Sequence, residues 1–179
     1  MTPVDPDHLI RVSAAEAIVD PFYENQFSCL ERYAFRDFIP GRCAWSQAWH
    51  FLDLRFDARE GDGLLGRFSR ACRIDAAAFD AFRVRLSLST NVRVAAFLTV
   101  DGVERCVIDE PGRGEFRECG GGFTGRGLEG IRFEFHAIAP GRAVGKLEWT
   151  MLESTEGLGR LAAARQAYDP AWPGYLRDD

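Results

Sequence analysis

Apolar and polar residues alternate one by one along much of the chain from about residue 43 onward. In FRVRLSLS (82–89) arginine and serine separate the apolar positions, and the same period of two recurs in residues 92–97, 131–136 and 144–153. A period of two is that of a β-strand with one buried side and one open side, whereas an amphipathic helix repeats about every 3.6 residues. The pattern therefore predicts a series of half-buried strands.

Turn signals separate these segments at regular intervals. They are Glu60–Gly63, Thr90–Asn91, Asp101–Gly102, Pro111–Gly114 and Pro140–Gly141. Short strands spaced about 8–12 residues apart, with turns between them, are typical of all-β sandwiches. The sequence therefore predicts an all-β fold, an antiparallel β-sandwich of jelly-roll type. No alternation of strands and helices competes with this prediction.

Three details follow from the same pattern. Residues 43–57 are predicted to form one long strand, and the glycine-rich residues 120–130 are predicted to form a loop. In the segment 144–153, Trp149 has the parity of the apolar side, so it is predicted to lie in the core.

The two ends of the chain lack this alternation. Residues 1–42 are predicted to be an N-terminal extension whose short elements pack on a sandwich formed by residues 43–156. Residues 157–179 are predicted to form a short C-terminal helix followed by an irregular tail rich in aromatic residues and proline. A tail of this kind suggests a link to a further domain, so a C-terminal catalytic domain is an expected partner.

Composition narrows the class of protein. The chain has 179 residues, 46% of them hydrophobic, which fits one globular domain. Its net charge of −5 argues against non-specific nucleic-acid binding, and the lack of a long apolar run argues against a membrane-spanning helix. The N-terminus as written has no signal-peptide pattern. The five cysteines contain no C-x-x-C pair, which predicts free thiols and favours a reducing compartment such as the cytoplasm; the compartment is otherwise undetermined.

The polar sides of the predicted strands carry several arginines. If the strands belong to one sheet, their outward side chains gather on one surface, and we predict that this surface binds a ligand. The predicted ligand-binding residues are Trp49, Arg83, Arg85, Arg93, Arg132, Glu134 and His136. A sugar has apolar ring faces that stack on an aromatic side chain, and hydroxyls that form charge-assisted hydrogen bonds with the other residues. The alternative is a solvated sheet face with ordinary cross-strand Arg–Glu pairs.

The order of these elements resembles a known family. A long strand that bears tryptophan, the segment Asp75–Leu88, the hairpin Val100–Gly102 and the closing strand Lys146–Leu152 are similar to bacterial carbohydrate-binding-module-like β-sandwiches of the galactose-binding-domain-like kind. The resemblance covers about residues 43–176. It implies an accessory domain of a larger polysaccharide-active enzyme, with an oligosaccharide or polysaccharide as ligand, and it carries over no individual binding residue.

Two other functions are alternatives. No catalytic residue is predicted for this chain by itself, although Gln47, Arg85 and His136 match part of the residue set of a uronate polysaccharide lyase. In such an enzyme arginine neutralises the uronate and histidine takes a proton. The other alternative is a structural interaction module that packs on a catalytic domain without binding sugar.

No cofactor is predicted, and no metal-binding residue is assigned. Four carboxylates, Asp101, Glu104, Asp109 and Glu110, supply oxygen ligands of the kind that calcium prefers, so a structural calcium ion is one hypothesis for this region. A solvated acidic hairpin is its alternative.

Overall fold

The alternating segments form strands in the computed structural model, which describes residues 24–25, 30–48, 51–77 and 79–153. The strands are β1 (Glu24–Asn25), β2 (Ala34–Arg36), β3 (Cys43–Ala48), β4 (Phe51–Ala58), β5 (Leu64–Asp75), β6 (Ala81–Leu88), β7 (Val92–Val100), β8 (Val103–Pro111), β9 (Arg117–Gly122), β10 (Gly127–Ala137) and β11 (Gly141–Glu153). One short 3-10 helix, Leu30–Arg32, precedes β2. The part of the chain that the structure describes holds no helix able to cross a membrane.

The strands build two antiparallel sheets. The first sheet has the order β3-β4-β11-β6-β9, with β1 paired to β11 as well, and the second sheet has the order β2-β5-β10-β7-β8. From β4 to β11 the chain changes sheet at every connection except the β7–β8 hairpin. Eight strands wound in this way between two sheets form a jelly roll. The predicted jelly-roll sandwich is therefore the fold of the described residues; the predicted C-terminal helix lies outside them.

The core lies between the two sheets and is rich in phenylalanine. Phe82 of the first sheet and Phe133 of the second sheet have ring centroids 6.1 Å apart, and Phe133 stacks on Phe68 at 4.8 Å. The apolar positions of β6, β7 and the middle of β10 are buried, as their alternation predicted. Because the inward side chains of both sheets meet here, burial of apolar area is the main stabilising contribution.

Two predicted elements are wrong. Residues 43–57 are not one strand, because β3 pairs antiparallel with β4 and Ala48 lies opposite Phe51. The residues predicted as a loop, 120–130, belong largely to strands β9 and β10. Glycine occurs in β9 because other strands approach closely: a Cβ at Gly121 would collide with the carbonyl oxygen of Val107.

A bulge in β11 changes which side of the strand is buried. The register with β6 shifts between Leu147 and Trp149, so Glu148 is an extra residue in the ladder. Beyond the bulge Thr150 and Leu152 are buried, and Trp149 is partly exposed and lies opposite Arg85. The prediction that Trp149 lies in the core is therefore wrong, because strict alternation does not include the extra residue.

Parts of the predicted N-terminal extension belong to the sheets themselves. The strand β1 pairs with β11, and β2 pairs with β5 at the edge of the second sheet. Phe35 of β2 stacks on Trp45 of β3 with ring centroids 3.8 Å apart, which joins the two sheet edges on this side. The division of the chain at residues 42 and 156 stays a prediction.

Candidate functional site

The structure divides the predicted ligand-binding residues between two opposite surfaces. Arg83 and Arg85 lie on β6 of the first sheet. The remaining described members, Arg93 on β7 and Arg132, Glu134 and His136 on β10, lie on the second sheet. The expectation of one shared surface is wrong, because β6 belongs to the first sheet whereas β7 and β10 belong to the second. Trp49 lies outside the described residues, and ligand binding by any of these side chains stays a prediction.

The outer surface of the second sheet, which we name the charged face, is formed around Arg93, Arg132, Glu134 and His136. Arg93 pairs with Asp109 at 2.7 Å. Arg132 pairs with Glu104 at 2.7 Å and with Glu134 at 2.9 Å, and His136 lies 3.0 Å from the same Glu134 carboxylate. The Arg93–Asp109 pair links the neighbouring strands β7 and β8, the Arg132–Glu104 pair spans from β10 across β7 to β8, and the two contacts of Glu134 lie within β10.

The charges of the charged face largely satisfy one another. The Arg132 guanidinium also lies 4.6 Å from the centroid of the Phe97 ring and covers it. Cross-strand pairs of this kind contribute about 0.2–1 kcal/mol each to sheet stability. The described contacts of the charged face therefore agree with the alternative that the sequence left open, a solvated and internally paired sheet surface.

The outer surface of the first sheet, which we name the aromatic face, carries Phe51, Phe116 and Trp149. Phe51 is the first residue of β4, and Phe116 immediately precedes β9. Strands β11 and β6 separate β4 from β9, a distance of about 14 Å at three strand spacings. The two phenylalanine rings nevertheless have centroids only 5.3 Å apart and an interplanar angle of 33°. They therefore meet above the two central strands and form one apolar surface, and both remain partly exposed.

Two cations lie against these rings. The Lys146 ammonium is 5.1 Å from the centroid of Phe51, and the Arg85 guanidinium is 5.5 Å from the centroid of Phe116. Lys146 is the single lysine of the chain, and among the described residues it has no carboxylate partner. A compact ammonium group with three donors is thus available beside an aromatic ring.

The arginines of the aromatic face are paired with glutamates of β11. Arg85 lies 2.5 Å from Glu148, and Arg83 lies 2.6 Å from Glu153. The hydrogen bond that Arg83 donates to the Glu153 carboxylate raises the pKa of Arg83 above its ordinary value. Each pair remains partly open to solvent, so carboxylate acceptors and guanidinium donors stand side by side next to the rings.

The β11 bulge completes this surface. Trp149 has Arg85 as its Cα partner on one side and Asn25 of β1 on the other, so the indole emerges on the aromatic face. Sequence reasoning did not select Phe51, Phe116, Lys146 or Trp149 as site residues. Phe51 and Lys146 stand at outward positions of the alternating pattern, which is a signal that could have identified them. No periodic signal in the sequence marks Phe116 or the bulge.

The residues of the lyase hypothesis are not brought together. Arg85 lies on the aromatic face and His136 on the charged face, at opposite sides of the sandwich. Gln47 lies on the strand β3 opposite Leu52, at the edge of the first sheet. The structure therefore gives no support to a shared catalytic site of these three residues.

The acidic residues of the calcium hypothesis have other partners. Asp101 accepts hydrogen bonds from the backbone N–H groups of Arg126 and Gly127, which lower the pKa of its carboxyl group. Glu104 and Asp109 pair with arginines of the charged face, and Glu110 pairs with an arginine as well. Within residues 30–48, 51–77 and 79–153 no group of three such side chains could hold a metal ion.

Comparison with known proteins gives structural likenesses only. No model of a known protein family and no curated protein matches the chain. A family 11 carbohydrate-binding module from a cellulosomal cellulase of Clostridium thermocellum has a TM-score of 0.49 and 7% identity, over 76% of this chain and 95% of that chain.

Modules of a second family are similar to about the same degree. A family 29 carbohydrate-binding module has a TM-score of 0.44 and 10% identity, over 71% of this chain and 98% of that chain. A variant family 29 module complexed with cellulohexaose has a TM-score of 0.42 and 11% identity, over 68% and 92% of the two chains. At these identities the likeness is one of β-sandwich fold.

Proposed function

We propose that the described domain is a non-catalytic glycan-binding module and that its ligand lies on the aromatic face. The observation that carries this proposal is the meeting of Phe51 and Phe116 above the centre of the first sheet, 5.3 Å apart, with Lys146 and Arg85 against the two rings. Two rings from strands so far apart form a continuous apolar platform that remains partly open to solvent.

The chemistry of this surface matches that of a sugar. A pyranose ring has an apolar side made of C–H groups, which packs on an aromatic ring, and a rim of hydroxyls that both donate and accept hydrogen bonds. Lys146 supplies hydrogen-bond donors only. The Arg85–Glu148 pair supplies guanidinium donors and carboxylate acceptors 2.5 Å apart, close enough for one sugar residue to contact both. Charge-assisted hydrogen bonds of this kind are stronger than neutral ones.

The charged face is a weaker candidate for the same function. Its one partly exposed ring, Phe97, is covered by Arg132, and that guanidinium is held by Glu104 and Glu134. Arg85 is paired over Phe116 in a similar way, but the aromatic face also carries Phe51 with Lys146 beside it, and the described residues of the charged face supply no second ring and ammonium group of this kind. We therefore assign the site to Arg83 and Arg85 among the predicted residues and leave Arg93, Arg132, Glu134 and His136 outside it.

The wider setting of the module is part of the proposal. The sequence resemblance implies an accessory domain of a larger carbohydrate-active enzyme, with a catalytic domain that follows it. Sequencing of the gene beyond Asp179 tests this point. A polysaccharide hydrolase or lyase domain there supports it, and an unrelated domain contradicts it.

Calorimetric titration tests the glycan site. We expect the protein to bind at least one oligosaccharide of a panel of cello-, manno-, xylo- and alginate-derived hexasaccharides. Phe51→Ala and Phe116→Ala should each weaken that binding by about tenfold, the typical effect of losing one ring contact. Phe97→Ala is the matched control, because it removes a ring that also lies under a guanidinium but on the opposite surface.

Two results would contradict the proposal. One is the absence of binding to every member of the panel. The other is binding that Phe97→Ala weakens as much as Phe116→Ala does. Far-ultraviolet circular dichroism of each variant shows that a loss of affinity does not come from a loss of fold.

A structural interaction module is the second candidate, and one observation favours it. Trp45 is stacked on Phe35 at the opposite edge of the sandwich and is 43% exposed, so this pair of rings offers apolar area that a partner domain would cover. If this edge packs on a catalytic domain, Trp45→Ala should weaken co-purification of the two domains and leave oligosaccharide binding unchanged. Failure of the same variant to affect either property would contradict that candidate.

A further inference from the structure

A groove lies at the free edge of the first sheet, next to the aromatic face. It has a volume of about 720 Å³ and is lined by residues of β6, β8 and β9, among them Arg83, Arg105 and Cys106. This volume lies within the range of about 300–1,000 Å³ that small-molecule sites occupy. Because β9 is the last strand of its sheet, its outer N–H and C=O groups have no strand partner among the described residues.

The groove continues the aromatic face. Arg83 lines it and also lies two residues from Arg85 on the same side of β6. Ala81 and its Cα partner Gly122 lie on that same side of β6, at the end of the groove that is farthest from the rings. Ala81 is six residues along β6 from Ser87, which lies beside Phe116. Phe116 precedes Arg117, the partner of Leu86, so the rings lie about 20 Å along the strand from this far end of the groove, and Arg83 lies between them. A polymer that lies along β6 therefore passes from one to the other.

Small residues keep the passage open, and one of them has no packing reason to be small. A Cβ at Gly120 or at Gly121 would collide with a neighbouring carbonyl oxygen, so glycine is required at both positions. A Cβ at Gly122 would meet only the carbonyl oxygen of Asp80, at the ordinary contact distance of 3.5 Å. The fold thus tolerates a side chain at Gly122, but the groove would lose space.

The groove presents hydrogen-bonding groups at its rim. Arg105 lies on the edge strand β8 opposite the buried Leu98, so its side chain leaves the strand on the inner side of the sheet. It has no carboxylate partner among the residues that the structure describes. Thr124 adds a hydroxyl, and Phe123 contributes apolar lining.

We infer that this groove binds the sugar residues that extend beyond the aromatic face, so that the protein prefers long glycan chains to short ones. The inference rests on the proposed function, because it takes the polymer to be the same one that stacks on Phe51 and Phe116. The ligand class is a linear polysaccharide recognised within its chain, with Arg105 and Thr124 as donors to hydroxyls in the groove.

The test compares chain lengths in wild type and in two groove variants. Affinities are measured for the disaccharide and the hexasaccharide of the cello-, manno- and xylo-series and of alginate. We expect wild type to bind one hexasaccharide at least about tenfold more tightly than its disaccharide, as one or two further hydrogen bonds provide. Gly122→Val and Arg105→Ala should reduce that ratio by about threefold or more and leave disaccharide affinity unchanged. Gly63→Val is the matched control, since a Cβ at Gly63 meets nothing within 4 Å.

The outcomes separate this inference from the proposed function. A length preference that is the same in Gly122→Val, Arg105→Ala and wild type, together with weaker binding in Phe116→Ala, overturns the groove and keeps the aromatic face. Hexasaccharide binding that depends on the groove variants but not on Phe116 overturns the continuous path and the proposed site. No binding of any probe overturns both.

Discussion

The two outer faces of this sandwich carry arginine at alternate positions, yet they differ in what the arginines contact. On the charged face Arg132 lies between two glutamates and covers the ring of Phe97. On the aromatic face Lys146 lies beside Phe51 without a carboxylate partner among the described residues, and Phe116 brings a second ring to it. The proposed glycan site is therefore distinguished from the charged face by its pair of rings and by the ammonium group of Lys146, and not by the number of cations.

A second comparison is between β11 and the middle of β10. Both sheets contain register shifts. The middle of β10, from Ile131 to Phe135, lies between such shifts and keeps its alternation, and its phenylalanines stay in the core. In β11 the shift falls at Glu148, so Trp149 lies outside and Thr150 inside. Bulges often redirect side chains near functional sites, and the outward position of Trp149 depends on this one.

A charge introduced beside the bulge should give the largest effect. Thr150 is fully buried because Glu148 is an extra residue, whereas strict alternation would bury Met151 instead. Thr150→Lys therefore places an unpaired ammonium group in the core, and we expect the free energy of unfolding to fall by about 3 kcal/mol or more. Urea denaturation with linear extrapolation measures the change.

The substitution Met151→Lys is the control. Met151 lies on the outer side of β11 and is partly exposed, so the change in stability should stay below about 1 kcal/mol. A Met151→Lys variant that is less stable than Thr150→Lys would show that the bulge does not determine which side of β11 is buried.

A smaller, stabilising effect is expected at Thr150. Its hydroxyl is fully buried, and it has no hydrogen-bond partner among the described residues. Thr150→Val replaces the hydroxyl by a methyl group of similar shape, so it should raise the free energy of unfolding by about 1 kcal/mol. Thr99→Val, at a partly exposed position of β7, is the matched control and should change stability by less than half as much. Lower stability in Thr150→Val would contradict the described environment.

The smallest effect is expected on the charged face. Arg132→Met removes two partly exposed ion pairs and should lower the free energy of unfolding by about 0.5 kcal/mol, an amount that falls at high salt. Glycan affinity should not change. Arg85→Met makes the same replacement on the aromatic face and should weaken glycan binding in calorimetric titration. Equal losses of affinity in the two variants would remove the distinction between the faces.

Much of the fold was predictable because alternation reports directly which side of a strand is buried. The buried residues of β6, β7 and the middle of β10 followed from their apolar spacing, and the turns at Thr90–Asn91 and Asp101–Gly102 followed from their residue types. The hairpin between β3 and β4 did not follow, since alternation continues unchanged when a chain reverses direction.

The candidate site was predictable only in part. Arg83 and Arg85 had the right parity and lie on the aromatic face, but Phe116 precedes its strand and reaches the face from the sheet edge. Trp149 was assigned to the wrong side, because a bulge has no periodic signature.

The sequence by itself determined that this chain is an all-β protein and, for most strands, which side chains face inward. Those properties depend on neighbouring residues along the chain, so the alternation of apolar and polar residues is enough to predict them. Only the tertiary structure decided which outward residues share a surface, because that depends on which sheet each strand joins and on the register between strands. The separation of Arg85 from Arg132, and the meeting of Phe51 with Phe116, are consequences of that long-range order.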